Sequence, residues 1–542
     1  MNFSSKNRKD FIQNLSNSTF DLLVIGGGIT GAGIALDATA RGLKVALIEM
    51  QDFASGTSGR STKLIHGGLR YLKQFEFKLV SEIGKEREII YRNAPHLTKP
   101  ELMLLPIVKH GSLGKFSSRI GMWLYEWLAC VKKEEHHKNL TLEQTLAAEP
   151  LLKNNNLLGG ILFYEYHTND ARLTLEVIKE AVNRGATAIN YTKAISLITE
   201  QDVIKGAKVQ NMLNGEEFEI KAKYVVNAAG PWVEEINDLD KKKTNLKLHI
   251  TKGVHLVVNR KKLSVKQALY FDTHDERMIF VIPRDGKTYI GTTDTFYSGD
   301  LQNPKLTTED RDYLLKCINN YFPENIIRKD DIESGWAGLR PLINKAGKKP
   351  SEISRKDEIF ISSSGLITIA GGKLTGYRKM AQRTVDVIAE KIRTDEKKNI
   401  PECSTAAISL SGGKKINNIE GLIAQGSVFG FSEAEIILLI NRYGSNITEL
   451  FAIAAQLKTE KNELPLFLRT QLKYAVENEM CVSPCDFFIR RTSMLYFEIN
   501  EVKKWRSALI TCMQKMFSWT DELTGKFDLE LQTALEETEI RK

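Results

Sequence analysis

Residues 20–49 read FDLLVIGGGITGAGIALDATARGLKVALIE. The apolar run Phe20–Ile25 has the length of a buried parallel strand. It feeds directly into Gly26-Gly27-Gly28-Ile29-Thr30-Gly31, a G-x-G-x-x-G pattern. Small residues from Ala32 to Gly42 predict a helix that stops at a glycine, and Lys44–Ile48 predicts a second strand with Glu49 at its end. Each part has a physical task. Gly26 allows the tight turn, Gly28 lets backbone approach a pyrophosphate, and Gly31 lets helix meet strand. The helix start offers free N–H groups to phosphate, and Glu49 can accept from ribose hydroxyls. Glycine-rich turns alone are common; strand, glycines, helix, strand and acid in this order define a dinucleotide site.

At 542 residues the chain is too long for one ordinary core. Hydrophobic residues at 42% and charged residues at 26% exclude extended disorder. The formal net charge of +9 is spread along the chain and suits anionic partners, either phosphorylated substrates or an acidic membrane surface. No segment resembles a nucleic-acid-binding module. The polar start, Met1–Phe20, lacks the apolar core of a signal peptide, and no run reaches the length of a spanning helix. Six scattered cysteines read as reduced thiols of a cytoplasmic protein. The close pair Cys481 and Cys485 lacks further ligands for zinc, and no four-cysteine cluster suggests iron–sulfur, so no metal is expected.

The first unit does not separate FAD from NAD, although its place at the start of the chain favours FAD. A second strand–glycine–helix junction adds weight. Glu358–Ala370 predicts two short strands around Ser364-Gly365, ending in Gly371-Gly372-Lys373-Leu374-Thr375 before a helical pattern from Gly376 to Ile392. A helix start there would stabilise negative charge on a reduced flavin. Between the two junctions lies another buried strand, Tyr224–Trp232 (YVVNAAGPW), whose Ala229 and Gly230 leave room for a ligand. This three-part layout resembles the FAD-dependent family that includes D-amino-acid oxidase and glycerol-3-phosphate dehydrogenase. It implies an α/β FAD-binding Rossmann-like domain, an antiparallel-sheet substrate domain and an all-α C-terminal domain.

Thr57-Ser58 and Ser61-Thr62-Lys63-Leu64-Ile65-His66-Gly67-Gly68-Leu69-Arg70-Tyr71 resemble the flavin-side loop of the quinone-linked glycerol-3-phosphate dehydrogenases. The loop offers hydroxyls, a cation and paired glycines where chain passes a flat ring. Lys252–Val258 is similar to the strand carrying their active-site histidine, here His255. Gly338-Leu339-Arg340-Pro341-Leu342 resembles the segment whose arginine holds substrate, and Gly371–Lys379 their flavin-proximal lysine turn. Gly291-Thr292-Thr293-Asp294 also fits, and Asp486–Arg491 extends the likeness toward the C-terminus. Gly376 stands where a second Thr is common in these enzymes.

Oxidising an alcohol beside a phosphate needs an anion clamp, a base and a hydride acceptor. The resemblance implies FAD as acceptor, and Arg70 and Arg340 as the clamp, with planar forks that suit phosphate. A structural ion pair is the competing use of each arginine. His255 is the expected base because its ordinary pKa lies near neutrality. Lys373 is expected at the flavin or the substrate, and Tyr71 beside either. The implied substrate and product are glycerol 3-phosphate and dihydroxyacetone phosphate, with a membrane quinone taking the electrons. Two alternatives share most of these residues: an oxygen-using oxidase releasing peroxide, and a non-catalytic FAD-binding redox sensor. A homodimer is left open.

Ala171–Arg184 predicts a helix of a second FAD-domain unit, and short runs such as Met278–Pro283 predict a substrate sheet over about 249–342. From 401 to 542 the pattern turns helical, notably over Ser432–Tyr443, Pro465–Glu479 and Glu498–Phe517, which separates a C-terminal domain from the 1–400 oxidoreductase region. Lys115–Lys133 places Phe116, Ile120, Trp123, Leu124, Trp127, Leu128 and Val131 on one helical face with basic residues at both ends. Such a helix lies either in a membrane interface or against the protein's own core. The membrane reading places the protein on the inner face of the cell membrane.

Overall fold

A computed structural model describes residues 3–67, 76–109, 115–129, 131–273, 275, 277–344 and 356–539. The opening motif forms as its pattern requires. Strand Thr19–Ile25 pairs in parallel with Glu217–Asn227 on one side and Val45–Ile48 on the other. Thr187–Ile189 extends the sheet beyond Val45–Ile48, and Ile367–Gly371 extends it beyond Glu217–Asn227. Leu22, Leu23 and Val24 are fully buried, as a strand covered on both faces must be. Helix Ile29–Ala40 lies between helices Asp170–Asn183 and Tyr377–Glu396, over this sheet. The expected pair around Ser364-Gly365 is present as Asp357–Ile361 and Ile367–Gly371, antiparallel to one another.

The second sheet is larger than the sequence suggested. Its ten strands include Leu248–Asn259, Ile332–Ile343, Lys287–Gly291, Met278–Arg284 and Ala268–Asp272, which fall within the expected 249–342 region. Thr98–Val108, Leu157–Thr168 and Leu64–Ile65 join them from earlier in the chain. The sheet is also not purely antiparallel, because Ala268 and Leu269 pair in parallel with Met103 and Leu104. Thr98–Val108 carries Pro100 and Pro106, which hide a strand from pattern reading. Its pairing with Leu157–Thr168 is what places the flavin-side loop, through Leu64–Ile65, on the sheet's edge.

From Ile419 onward the described secondary structure is helical. Residues 431–457 and Tyr474 form a core of their own. Residues 464–535, in contrast, share a core with the mixed sheet, where Phe497 meets Tyr289 and Trp336 and Tyr496 meets Trp336. Charge completes the junction. Asp52, three residues past Glu49, receives two parallel hydrogen bonds from Arg491, at 2.6 and 2.9 Å. Arg490 Nε and Asn190 Nδ2 donate to the same carboxylate. Arg490 is held in turn by Asp486 at 2.6 Å, and Arg491 also donates to Glu479 O at 2.7 Å.

Burial alone would raise the Asp52 pKa, but Arg491 and Arg490 outweigh it and hold the group at about 2. A depressed carboxyl contributes stability above its unfolded pKa of about 3.9 and loses it as pH falls through the folded value. The Asp52 contribution should therefore disappear between about pH 4 and pH 2. Asp52→Asn removes the carboxylate that Arg490 and Arg491 share, leaving Asp486 and Glu479 as their remaining counter-charges, and should cost about 3–5 kcal/mol in chemical denaturation at neutral pH. A loss under 1 kcal/mol would show that the junction does not depend on this charge.

Candidate active site

One long cavity runs between the two sheets. At one end it is lined by Glu49, Met50 and the Thr192–Ala194 edge, and at the other by His255, Arg340 and Lys373. The glycine turn lies between. Gly26 has φ +119°, and a Cβ on it would stand 2.5 Å from Ala228 O. A Cβ on Gly31 would stand 1.9 Å from Gly26 O, so Gly31 serves helix–strand contact and does not line the cavity. Helix Ile29–Ala40 begins at Gly28 with no capping side chain of its own, and Ile29 N–H donates to Ser58 Oγ at 2.9 Å. Glu49 accepts from Gly27 and Gln51 N–H groups at 2.7 and 2.9 Å, while burial pushes its carboxyl pKa up. A carboxylate at one end, an uncapped helix start in the middle and cations at the far end fit FAD in donor type and order.

The flavin-side loop divides by function. Thr57, Ser58, Ser61, Leu64 and His66 line the cavity, as do Ala229, Gly230, Gly372, Leu374 and Thr375. Thr57 Oγ1 donates to Leu339 O at 2.7 Å, which joins the loop to the Arg340 strand. Lys63, expected to contact the cofactor, does not line the cavity. Its ammonium is fully buried 2.7 Å from Asp170 Oδ1 and lies over the Trp336 and Tyr496 rings. Asp170 also accepts from Ser61 N and Oγ. Among the loop's described residues Arg60 is a cation that lines the cavity; it has no ion pair with another described residue, and burial lowers its pKa. Gly67 is likewise away from the cavity: its N–H donates to Glu165, and a Cβ would meet Tyr125 Oη at 2.1 Å. Gly68, Arg70 and Tyr71 lie outside the described residues.

His255 and Arg340 come together because their strands are neighbours. Leu248–Asn259 and Ile332–Ile343 pair with Thr251 opposite Arg340 and His255 opposite Trp336. A Cβ on Gly253 would stand 2.2 Å from Arg340 Nη2, so the guanidinium lies against this glycine and a side chain there would displace it. Arg340 donates to Thr292 Oγ1 at 2.9 Å and to Thr293 O and Asp294 Oδ1 at 3.2 Å. The competing ion-pair use is thus present in Asp294, yet Arg340 also lines the cavity. The His255 ring stacks on Trp336 with centroids 4.6 Å apart and planes at 12°. Its Nε2 meets Thr62 Oγ1 at 3.0 Å, and its Nδ1 is buried without a hydrogen-bond partner. Burial first, then Arg340 and Lys63, hold its pKa well below the ordinary value, so the ring is neutral. Lys373 Nζ donates to His66 O at 2.9 Å, and Thr375 Oγ1 reaches the same oxygen at 3.3 Å.

Sequence reasoning missed Thr62, Trp336 and Tyr289, which frame the histidine. Tyr289 Oη donates to Thr62 O at 3.0 Å, and Trp336 Nε1 to Ser61 O at 3.2 Å. Trp336 shares its strand with Arg340, but only cross-strand register reveals that it faces His255. Among the described residues no group of three or more His, Cys, Asp or Glu side chains is placed to hold a metal.

Fold and cavity together define an FAD-binding oxidoreductase. The family described as FAD dependent oxidoreductase matches residues 21–378, and the C-terminal domain of alpha-glycerophosphate oxidase matches residues 403–524. Aerobic glycerol-3-phosphate dehydrogenases from Bacillus subtilis and Staphylococcus haemolyticus are 49% and 50% identical, over 99% of this chain and 98% of each relative. The crystal structure of glycerol-3-phosphate dehydrogenase from Bacillus halodurans complexed with FAD superimposes with a TM-score of 0.86 at 46% identity, covering 100% of this chain and 99% of that one. An L-alpha-glycerophosphate oxidase from Mycoplasma pneumoniae, at 19% identity and TM-score 0.56, covers 68% of this chain and 95% of its own, and shares the fold. The chain belongs to the FAD-dependent oxidoreductase family, in its aerobic glycerol-3-phosphate dehydrogenase branch.

Gly31→Ala should yield folded protein largely stripped of flavin, because the added methyl forces helix and glycine turn apart. The flavin-to-protein absorbance ratio after purification checks this, and a full complement of FAD would refute the fit.

Proposed function

We propose that this protein oxidises sn-glycerol 3-phosphate to dihydroxyacetone phosphate and passes the electrons to a membrane quinone. The observation that carries the catalytic reading is the convergence of His255, Arg340 and Lys373 at one end of a cavity whose other end is built for a dinucleotide. Bound FAD supplies the hydride acceptor. Arg340 binds the substrate phosphate with a fork already oriented by Thr292 and Asp294. Arg70, through the family resemblance, is assigned to the same phosphate, with Tyr71 beside the substrate. Lys373, held by His66, adds positive charge where negative charge develops.

His255 takes the hydroxyl proton. In the neutral ring, Nε2–H donating to Thr62 Oγ1 leaves Nδ1 with a free lone pair. The reverse tautomer would bury an N–H without an acceptor, which is the costlier choice. Nδ1 is itself buried, so the nitrogen on the Thr62 side is the one toward the cavity, and Thr62 and the Trp336 ring hold the imidazole in place.

The membrane reading rests on helix Lys115–Ala129. Met122, Tyr125 and Ala129 face the core, whereas Trp123 and Trp127, one turn apart, are 64% and 68% exposed. Lys132 and Lys133 follow at the exposed end. Trp side chains flanked by lysines suit a lipid interface with anionic headgroups. No described helix is long and apolar enough to cross a membrane, so the proposed attachment is peripheral, on the cytoplasmic face.

His255→Ala should slow single-turnover flavin reduction by glycerol 3-phosphate roughly 100-fold to 10,000-fold. Near-normal reduction would remove His255 as base. Because its pKa is lowered, the wild-type rate should stay level below the ordinary histidine range of about 6.5 and fall only in stronger acid. Arg340→Gln should raise the substrate KM roughly 10- to 100-fold. The double variant Trp123→Ser, Trp127→Ser should bind anionic phospholipid vesicles roughly tenfold or more weakly, with reduction by glycerol 3-phosphate unchanged; equal binding would place the membrane contact elsewhere.

A further inference from the structure

A second cavity, of about 370 Å³, lies on the seam between the mixed sheet and the C-terminal helices. None of its lining residues lines the dinucleotide cavity. Lys99, Arg260, Lys266, Arg284 and Arg442 supply five cationic side chains to its wall, against the three carboxylates Glu101, Asp285 and Glu498. Asp285 pairs with Arg284, which leaves four cations on the wall with Glu101 and Glu498. Glu101 accepts from His167 Nδ1 at 2.8 Å, Asp285 lies 3.5 Å from Arg284, and burial pushes the Glu498 carboxyl toward its neutral form.

Half-buried Lys99 and buried Arg442 hydrogen-bond only to neutral groups among the described residues. Lys99 Nζ donates to Asn441 Oδ1, and Arg442 donates to Thr492 O at 2.8 Å and to Gln471 Oε1. Desolvating a cation without a hydrogen-bonded carboxylate is unfavourable, and burial lowers the Lys99 pKa against the opposing pull of Asp285. His96 is 9% exposed and lines the cavity, with both ring nitrogens buried and without a hydrogen-bond partner among the described residues. Burial, followed by Arg172, Lys179 and Lys99, lowers its pKa to about 3, so the ring offers one donor and one acceptor and no charge.

We infer that this seam cavity is a binding site for a small phosphate-bearing anion, held by Lys99, Arg442 and Arg260. A tetrahedral phosphate has enough oxygens to meet two guanidinium groups and an ammonium together, where a single carboxylate does not. The volume admits such an anion with a short carbon chain or bridging waters. Tyr289 stands on the cavity's wall and donates to Thr62 O, the residue whose hydroxyl meets His255. An anion here would thus lie one side chain away from the flavin-side loop.

Calorimetric titration of the FAD-loaded protein with inorganic phosphate tests the site without requiring turnover, so it does not depend on the catalytic reading. The expected result is a phosphate-binding event that survives Arg340→Gln and weakens roughly tenfold or more in Lys99→Gln and Arg260→Gln. Arg260 is exposed, so its variant keeps the fold even if Lys99→Gln disturbs it; flavin content and Tm verify both. Absence of binding, or binding that both seam variants leave intact, would overturn the proposal.

Discussion

The carboxylate of Asp52, gripped by Arg490 and Arg491, is the interaction on which the working parts depend. It joins the loop after the second strand of the dinucleotide unit to a segment more than 430 residues later in the chain. That loop continues through Ala54, Thr57 and Ser58, all on the cavity wall, so its position decides the width of the cofactor site. A buried ion pair of this kind contributes less to net stability than to uniqueness of arrangement, because desolvation offsets much of the attraction. Its geometry, two parallel bonds plus two further donors, leaves one placement for the loop.

A second buried pair, Lys63 with Asp170, does the same for the flavin-side loop. Lys63 is spent inside the protein, with its N–H on Ser61 Oγ and its ammonium on Asp170. The loop is thereby anchored to helix Asp170–Asn183 of the nucleotide-binding half, while Leu64–Ile65 pairs with the mixed sheet. One short segment ties the two sheets together at the place where substrate and cofactor meet. Burial first, then Arg340 and this same cation, keep His255 neutral. Electrostatics of the base is thus a consequence of how the loop is held.

The C-terminal helices belong to this arrangement as much as the sheets do. Phe497 and Tyr496 pack on Trp336, which stacks on His255, so the helical region backs the catalytic strand directly. The seam cavity and the shared apolar core lie along the same boundary. Helix Lys115–Ala129 contributes Met122, Tyr125 and Ala129 to that core and turns Trp123 and Trp127 to solvent.

Much of this was legible in residues alone. A strand of apolar residues, glycines at fixed spacing and an acid at the next strand's end prescribe the nucleotide unit, because local backbone geometry and short-range contacts suffice to build it. The second glycine junction, the helical pattern past residue 401 and the candidates His255, Arg340 and Lys373 were legible for the same reason or by resemblance. Long-range pairing was not. Thr98–Val108 entered the sheet despite two prolines, Lys63 turned inward where Arg60 faced the cavity, and Thr62, Trp336 and Tyr289 framed the histidine only through cross-strand register. Sequence by itself determined which local elements form and which residues could do the chemistry. Tertiary structure decided which side chains reach the cavity and which are consumed by burial, because desolvation and partner choice depend on segments hundreds of residues apart.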